Sequence, residues 1–119
     1  MLGLGPATRI YLGADPVDMR KGFEGLYGLV GDVLGHDPLS GHLFLFTNRS
    51  RSRIKALFWD GSGLWVCAKR LEKGRFRWPA SADGASIAMR SEELAMLVSG
   101  LDLAEAKPRR GWYRREPAA

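Results

Sequence analysis

The sequence is poor in the residues from which catalytic and metal centres are built. Among 119 residues there is one cysteine, Cys67, and there are two histidines, His36 and His42. A single thiol excludes an internal disulfide and suits a reducing compartment. Both histidines stand in or beside a Gly/Pro loop next to Asp37, with no Cys/His cluster at metal-ligand spacing. They read as solvated loop side chains. Cys67 sits in an apolar, strand-like run and reads as a small core residue. Neither a P-loop nor a Ser/His/Asp pattern occurs, and no cofactor or metal is expected. No apolar run reaches membrane-spanning length. The start MLGLGPATR lacks the basic residues and apolar stretch of a signal peptide, so the expected location is cytoplasmic.

Acidic residues are scarce in one place only. Residues 47–79 carry nine Lys/Arg against Asp60 and Glu72, whereas residues 1–46 and 80–103 are each net negative. The whole chain has a formal net charge of +5 and a pI near 9.8. Such a balance favours an anionic partner, nucleic acid first. With 45% hydrophobic and 26% charged residues the composition is globular, and the length suits one core. The expectation is a single domain over residues 1–106 followed by a basic tail, 107–119, holding Arg109, Arg110, Arg114 and Arg115.

The apolar pattern changes period twice. Residues 8–12 are β-branched and aromatic enough for a first strand. Asp15-Pro16 reads as a helix start, and Met19, Phe23, Leu26, Val30 and Val33 recur at helical spacing to about residue 34. Gly22, Gly25, Gly28 and Gly31 weaken that helix, and they suggest close approach to a sheet. Beyond the GHDPLSG loop come strand-like runs at 43–46, 54–59, 64–71 and 75–78, with Asp60-Gly61-Ser62-Gly63 as a hairpin turn. Residues 80–88 look loop-like, and a short helix follows at about 92–99. The fold class expected is α+β: a mainly antiparallel, four- to five-stranded sheet packed by one longer and one short helix.

Side chains two apart on a strand share a face. Treating residues 49–59 as extended puts Arg49, Arg51, Arg53 and Lys55 on one side, with Arg75 and Arg77 on one side of the last strand. The expectation is therefore an open basic sheet surface that binds nucleic acid through Arg49, Arg51, Arg53, Lys55, Lys69, Lys73, Arg75 and Arg77. Arg20 and Lys21 would extend it from the start of the first helix. Solvation of an ordinary sheet accounts for alternating charge too, but acids serve that purpose equally well and are nearly absent here. Asp60 with Val66-Cys67-Ala68-Lys69 has the spacing of a restriction-type nuclease, in which an acid at a turn precedes a carboxylate-x-Lys strand. Cys67 occupies the second carboxylate position, so hard Mg²⁺ would lose a ligand, and no catalysis is expected.

Three stretches, DMRKGFEGL (18–26), LFLFTNRSRSRIKALFWDGSGLWVCAKRLEKGRFRWP (43–79) and SEELAMLVSGLDL (91–103), together resemble the TnpB, or Orf2-like, accessory proteins of insertion-sequence family sixty-six. The resemblance implies a non-enzymatic role in transposition, with DNA, the element's transposase and its other small protein as partners. It brings no catalytic residues with it. The chain departs from the family pattern at Arg90, where a helix-capping Thr is usual, and in the extra glycines Gly28 and Gly31. An alternative from another class is a subunit that docks on the transposase without touching DNA, through aromatics such as Trp59, Trp65 or Trp112.

Overall fold

The computed structural model describes residue 5, residues 7–80 and 84–99, and the backbone of 101–102 and 107–108. Regular structure begins with strand β1 (Ile10–Gly13), displaced by two residues from the expected 8–12. The expected helix start at Asp15-Pro16 is not used. Asp18 instead accepts hydrogen bonds from the backbone N–H and the guanidinium of Arg20, while Val17 N–H donates to Thr47 O at 2.8 Å. An Asp side chain that binds backbone two residues on competes with helix formation. Helix α1 therefore opens only at Phe23 and runs Phe23–Leu29, continuing as a π-helical turn over Val30–Leu34. Gly35, at φ 72°, ends it in the left-handed region, and both Gly35 and His36 return their N–H groups to Val30 O.

The remaining elements are β2 (Leu43–Thr47), β3 (Arg53–Trp59), β4 (Leu64–Arg70), β5 (Ser86–Met89) and α2 (Ser91–Ser99). A separate short pair, β6 (Leu101–Asp102) and β7 (Lys107–Pro108), follows. The backbone at the start of the expected tail thus pairs with residues just after α2, and the rest of that tail lies outside the described residues. Five strands form one sheet in the order β4-β3-β2-β1-β5. Three of its four pairings are antiparallel, and β1–β2, linked through α1, is parallel. The α+β expectation holds, with two changes of membership. Residues 75–78 form no strand, and the loop-like stretch before α2 supplies β5, which pairs with β1.

Both faces of the sheet are covered. On one, Ile10, Leu12, Leu43, Leu45, Ile54 and Phe58 meet Leu97 of α2 and the irregular segment carrying Leu71, Phe76 and Trp78. Trp78 pins that segment by donating from Nε1 to Gly13 O at 2.9 Å. On the other face, Phe44, Phe46 and Leu57 meet Met19, Leu26, Val30 and Leu34. This explains why 43–46 is apolar at every position: β2 lies in the middle of the sheet and is buried on both sides. The helix glycines do not bring the helix close to the sheet. A Cβ at Gly22, Gly28 or Gly31 would have nothing within 4 Å, and at Gly25 the nearest atoms belong to the Lys21 side chain, with Lys21 Cβ at 2.9 Å.

The histidines are also packed rather than solvated. His36 stacks on Tyr11 with ring centroids 3.9 Å apart, and His42 Nδ1 accepts the Arg9 N–H at 3.0 Å. Their place in a Gly/Pro loop gave no sign of Tyr11, which reaches them from β1.

Candidate nucleic-acid interface

The expected cations gather at one end of the sheet rather than on an open face. Residues 48–52 are not extended. They make a tight turn in which Asn48 Oδ1 accepts the N–H groups of Ser52 (2.9 Å) and Arg53 (3.2 Å), while Arg51 N–H donates to Asn48 O. Arg51 adopts φ 59°, a left-handed conformation rare for a non-glycine residue and held here by bonds on both sides of it. The same turn organises the next loop: Arg51 O accepts Phe76 N–H at 2.6 Å, and Ser52 O accepts Leu71 N–H at 2.9 Å. Burial of Leu71 and Phe76 then leaves the intervening polar residues outside.

Two docked loops and the adjoining strand ends therefore expose Arg49, Arg51, Arg53, Arg70, Lys73, Arg75 and Arg77 together. Glu72 is the one acid within 48–53 and 70–77. Arg49, Arg51, Arg53, Arg70, Lys73 and Arg75 form no ion pair among the described residues. Arg70 was missing from the expected set. It lies directly across from Arg53 in the β3–β4 register, and the pairing was the signal needed to find it. A hollow of about 250 Å³ opens beside this pair, bounded by Met19, Arg53, Lys55, Ala68 and Arg70.

Lys55 and Lys69 part company. Ile54 pairs with Lys69 and Lys55 with Ala68, so the two lysines lie on opposite faces. Lys55 Nζ donates to Lys21 O at 2.9 Å, and Lys69 Nζ donates to Val98 O at 2.7 Å. Partial burial of Lys69 lowers its pKa. Neither ammonium stands free above a sheet surface. Arg20 and Lys21 do lie at the cationic end, because the bond from Val17 to Thr47 brings their segment beside the end of β2. The Arg20 charge is offset by Asp18, 2.7 Å away, whose pKa the guanidinium and backbone N–H hold at about 2.

Asp60 belongs to the hairpin. Its Oδ1 accepts from Ser62 N–H, Gly63 N–H and the Ser62 hydroxyl, and its Oδ2 accepts Trp65 Nε1–H at 2.7 Å. These bonds, led by the backbone N–H of Ser62, hold its pKa at about 2. Among the described residues no group of three or more His, Cys, Asp or Glu side chains could hold a metal ion. A larger cleft of about 660 Å³, between residues 5–11 and 88–92, has Arg9, Arg90 and Glu92 as its charged lining. Of the aromatics proposed for docking, Trp65 is 50% exposed, Trp59 is half-buried and Trp112 lies outside the described residues. No described helix is long and apolar enough to cross a membrane.

No solved structure matches this chain. Two proteins of Sinorhizobium fredii do. The uncharacterized protein y4jC is 41% identical over 107 residues, covering 90% of this chain and 91% of its own length. The uncharacterized protein y4hO is 43% identical over 102 residues, covering 86% and 88%. The family model for IS66 Orf2-like proteins, TnpB_IS66, matches residues 8–108, which include every described strand and helix and the whole cationic end. The chain belongs to the IS66 Orf2-like family, and the family points to an accessory role in transposition.

Proposed function

We propose that this protein is a non-enzymatic transposition factor that binds nucleic acid through its cationic end, reading backbone phosphate rather than base sequence. The observation that carries the reading is the convergence of the 48–52 turn, the 71–77 loop and the adjoining ends of β3 and β4, which displays seven Arg/Lys around a single acid. Guanidinium groups suit phosphate because their planar fork donates two parallel hydrogen bonds. The backbone bonds that fix both loops lower the entropy lost when their arginines engage a ligand. Element ends and other DNA are bound with similar affinity in this reading, and recognition of the element falls to the transposase.

A salt titration of DNA binding tests it. Phosphate contacts release counterions, so about six contacts give a slope of log K against log salt near −5. Arg51→Ala weakens binding alike on all sequences and makes the slope shallower by about one. The same titration on a chain ending at Ala106 separates the contribution of the tail cations. A second reading, docking on the transposase without DNA contact, is favoured by Phe23, Tyr27 and Val33, which are 52%, 40% and 50% exposed on the first helix and its π-turn. Folded protein that captures the transposase but shows no salt-sensitive DNA binding decides for that reading.

A further inference from the structure

Strand β4 forms one edge of the sheet, and among the described residues no strand pairs with its outer side. Two hydrogen bonds beyond the ends of the β3–β4 ladder fix which backbone groups face outward. Leu71 N–H donates to Ser52 O, and Asp60 N–H donates to Gly63 O. Antiparallel pairs alternate between those that exchange hydrogen bonds and those that do not. The bonded pairs are therefore 54 with 69, 56 with 67 and 58 with 65, and the backbone groups of Leu64, Val66, Ala68 and Arg70 point away from β3. Among the described residues none of these four makes a hydrogen bond on that side. An edge seven residues long, without proline, is a template for a further strand.

We propose that a second copy of this chain supplies that strand, with two β4 edges pairing antiparallel about a two-fold axis at Cys67. The outward residues 64, 66, 68 and 70 are symmetric about position 67, so a strand paired with itself in this register uses all of them. Leu64 then exchanges bonds with Arg70 of the second copy, and Val66 with Ala68. Charge favours this arrangement as well. Lys69 lies across from Trp65 of the second copy and Arg70 from Leu64, so no cation faces a cation. A register slipped by four residues toward the strand's end, which moves the two-fold to position 69, sets Lys69 against Lys69, which like charge disfavours. The pairing covers Trp65, the large apolar side chain that β4 leaves 50% exposed, and sets a lysine stem across its ring. Two five-stranded sheets become one of ten strands, with the cationic ends at opposite ends of the assembly. The pairing is independent of what those ends bind.

The register makes a covalent test possible. Cys67 faces Cys67 of the second copy at a non-hydrogen-bonded position, where Cα atoms lie about 4.5 Å apart, within the range a disulfide spans. Wild-type protein treated with copper phenanthroline links into a dimer on a non-reducing gel. Chains carrying Cys67→Ser and Trp65→Cys do not link to one another, since their 65 positions are about 13 Å apart along the strand. They do link when mixed with chains carrying Cys67→Ser and Lys69→Cys. Without oxidant, sedimentation gives twice the chain mass for the wild type and half that value for Ala68→Pro, which removes an outward N–H and no hydrogen bond of the β3–β4 ladder. A single-chain mass for the wild type overturns the proposal. So does a folded Ala68→Pro protein that remains dimeric, or linking of Trp65→Cys chains to one another as readily as the wild type.

Discussion

Replacing Gly28 and Gly31 together by alanine stabilises this protein. Both residues lie in the helix and π-turn that cover one face of the sheet, at backbone angles outside the left-handed region. A Cβ at either position has nothing within 4 Å, so no clash offsets the gain. Each glycine frees the unfolded chain more than alanine does, and the difference is typically about 0.4–1 kcal/mol per site. For the pair this amounts to about 1–2 kcal/mol, and at about 5 °C per kcal/mol for a domain of this size the melting midpoint rises by roughly 5–10 °C. The contrast is Gly13→Ala. Its Cβ would lie 2.9 Å from Phe46 Cδ1, a ring that is 1% exposed and cannot retreat. That substitution destabilises by about 1–3 kcal/mol, the usual cost of overpacking. Urea unfolding followed by circular dichroism measures all three variants. A lower midpoint for the Gly28/Gly31 double variant refutes the reasoning, because it requires these glycines to be in contact with something.

Helix α2 begins with half of a capping box: Glu93 Oε1 accepts Arg90 N–H at 3.0 Å, but Arg90 has no hydroxyl to return the bond. Arg90→Thr supplies it and raises the urea midpoint, since a hydroxyl N-cap is worth about 1 kcal/mol; an unchanged midpoint counts against this account. Asp60 and Asp18 both have pKa values lowered from 3.8 to about 2 in the folded chain. Depressed carboxylates contribute stability that is fully present above the unfolded value and lost as pH falls through the folded one. The urea midpoint therefore declines between about pH 4 and 2, and Asp60→Asn flattens that decline; an equal slope in the variant removes Asp60 from the explanation.

Local chemistry set much of this fold on its own. Asp60-Gly61-Ser62-Gly63 determines its hairpin, because the carboxylate reaches N–H groups two and three residues on wherever the turn is placed. The period-two pattern of 54–59 and 64–70 determines two paired strands, and the continuous apolar run 43–46 determines a strand buried on both faces. The local excess of positive charge marked residues 47–79 as the candidate binding stretch. Tertiary structure decided what depends on partners far away in the chain. Ser86–Met89 is a strand because β1 pairs with it, and 75–78 is not one because Phe76 and Trp78 are drawn onto the sheet by Arg51 O and Gly13 O. Alternation along 49–59 implied a flat basic face, yet Asn48 folds the first half of that run into a turn. Strand pairing then separated Lys55 from Lys69 and brought Arg70 beside Arg53. Periodicity specifies which side chains share a face; only the packed structure specifies whether that face is open to solvent.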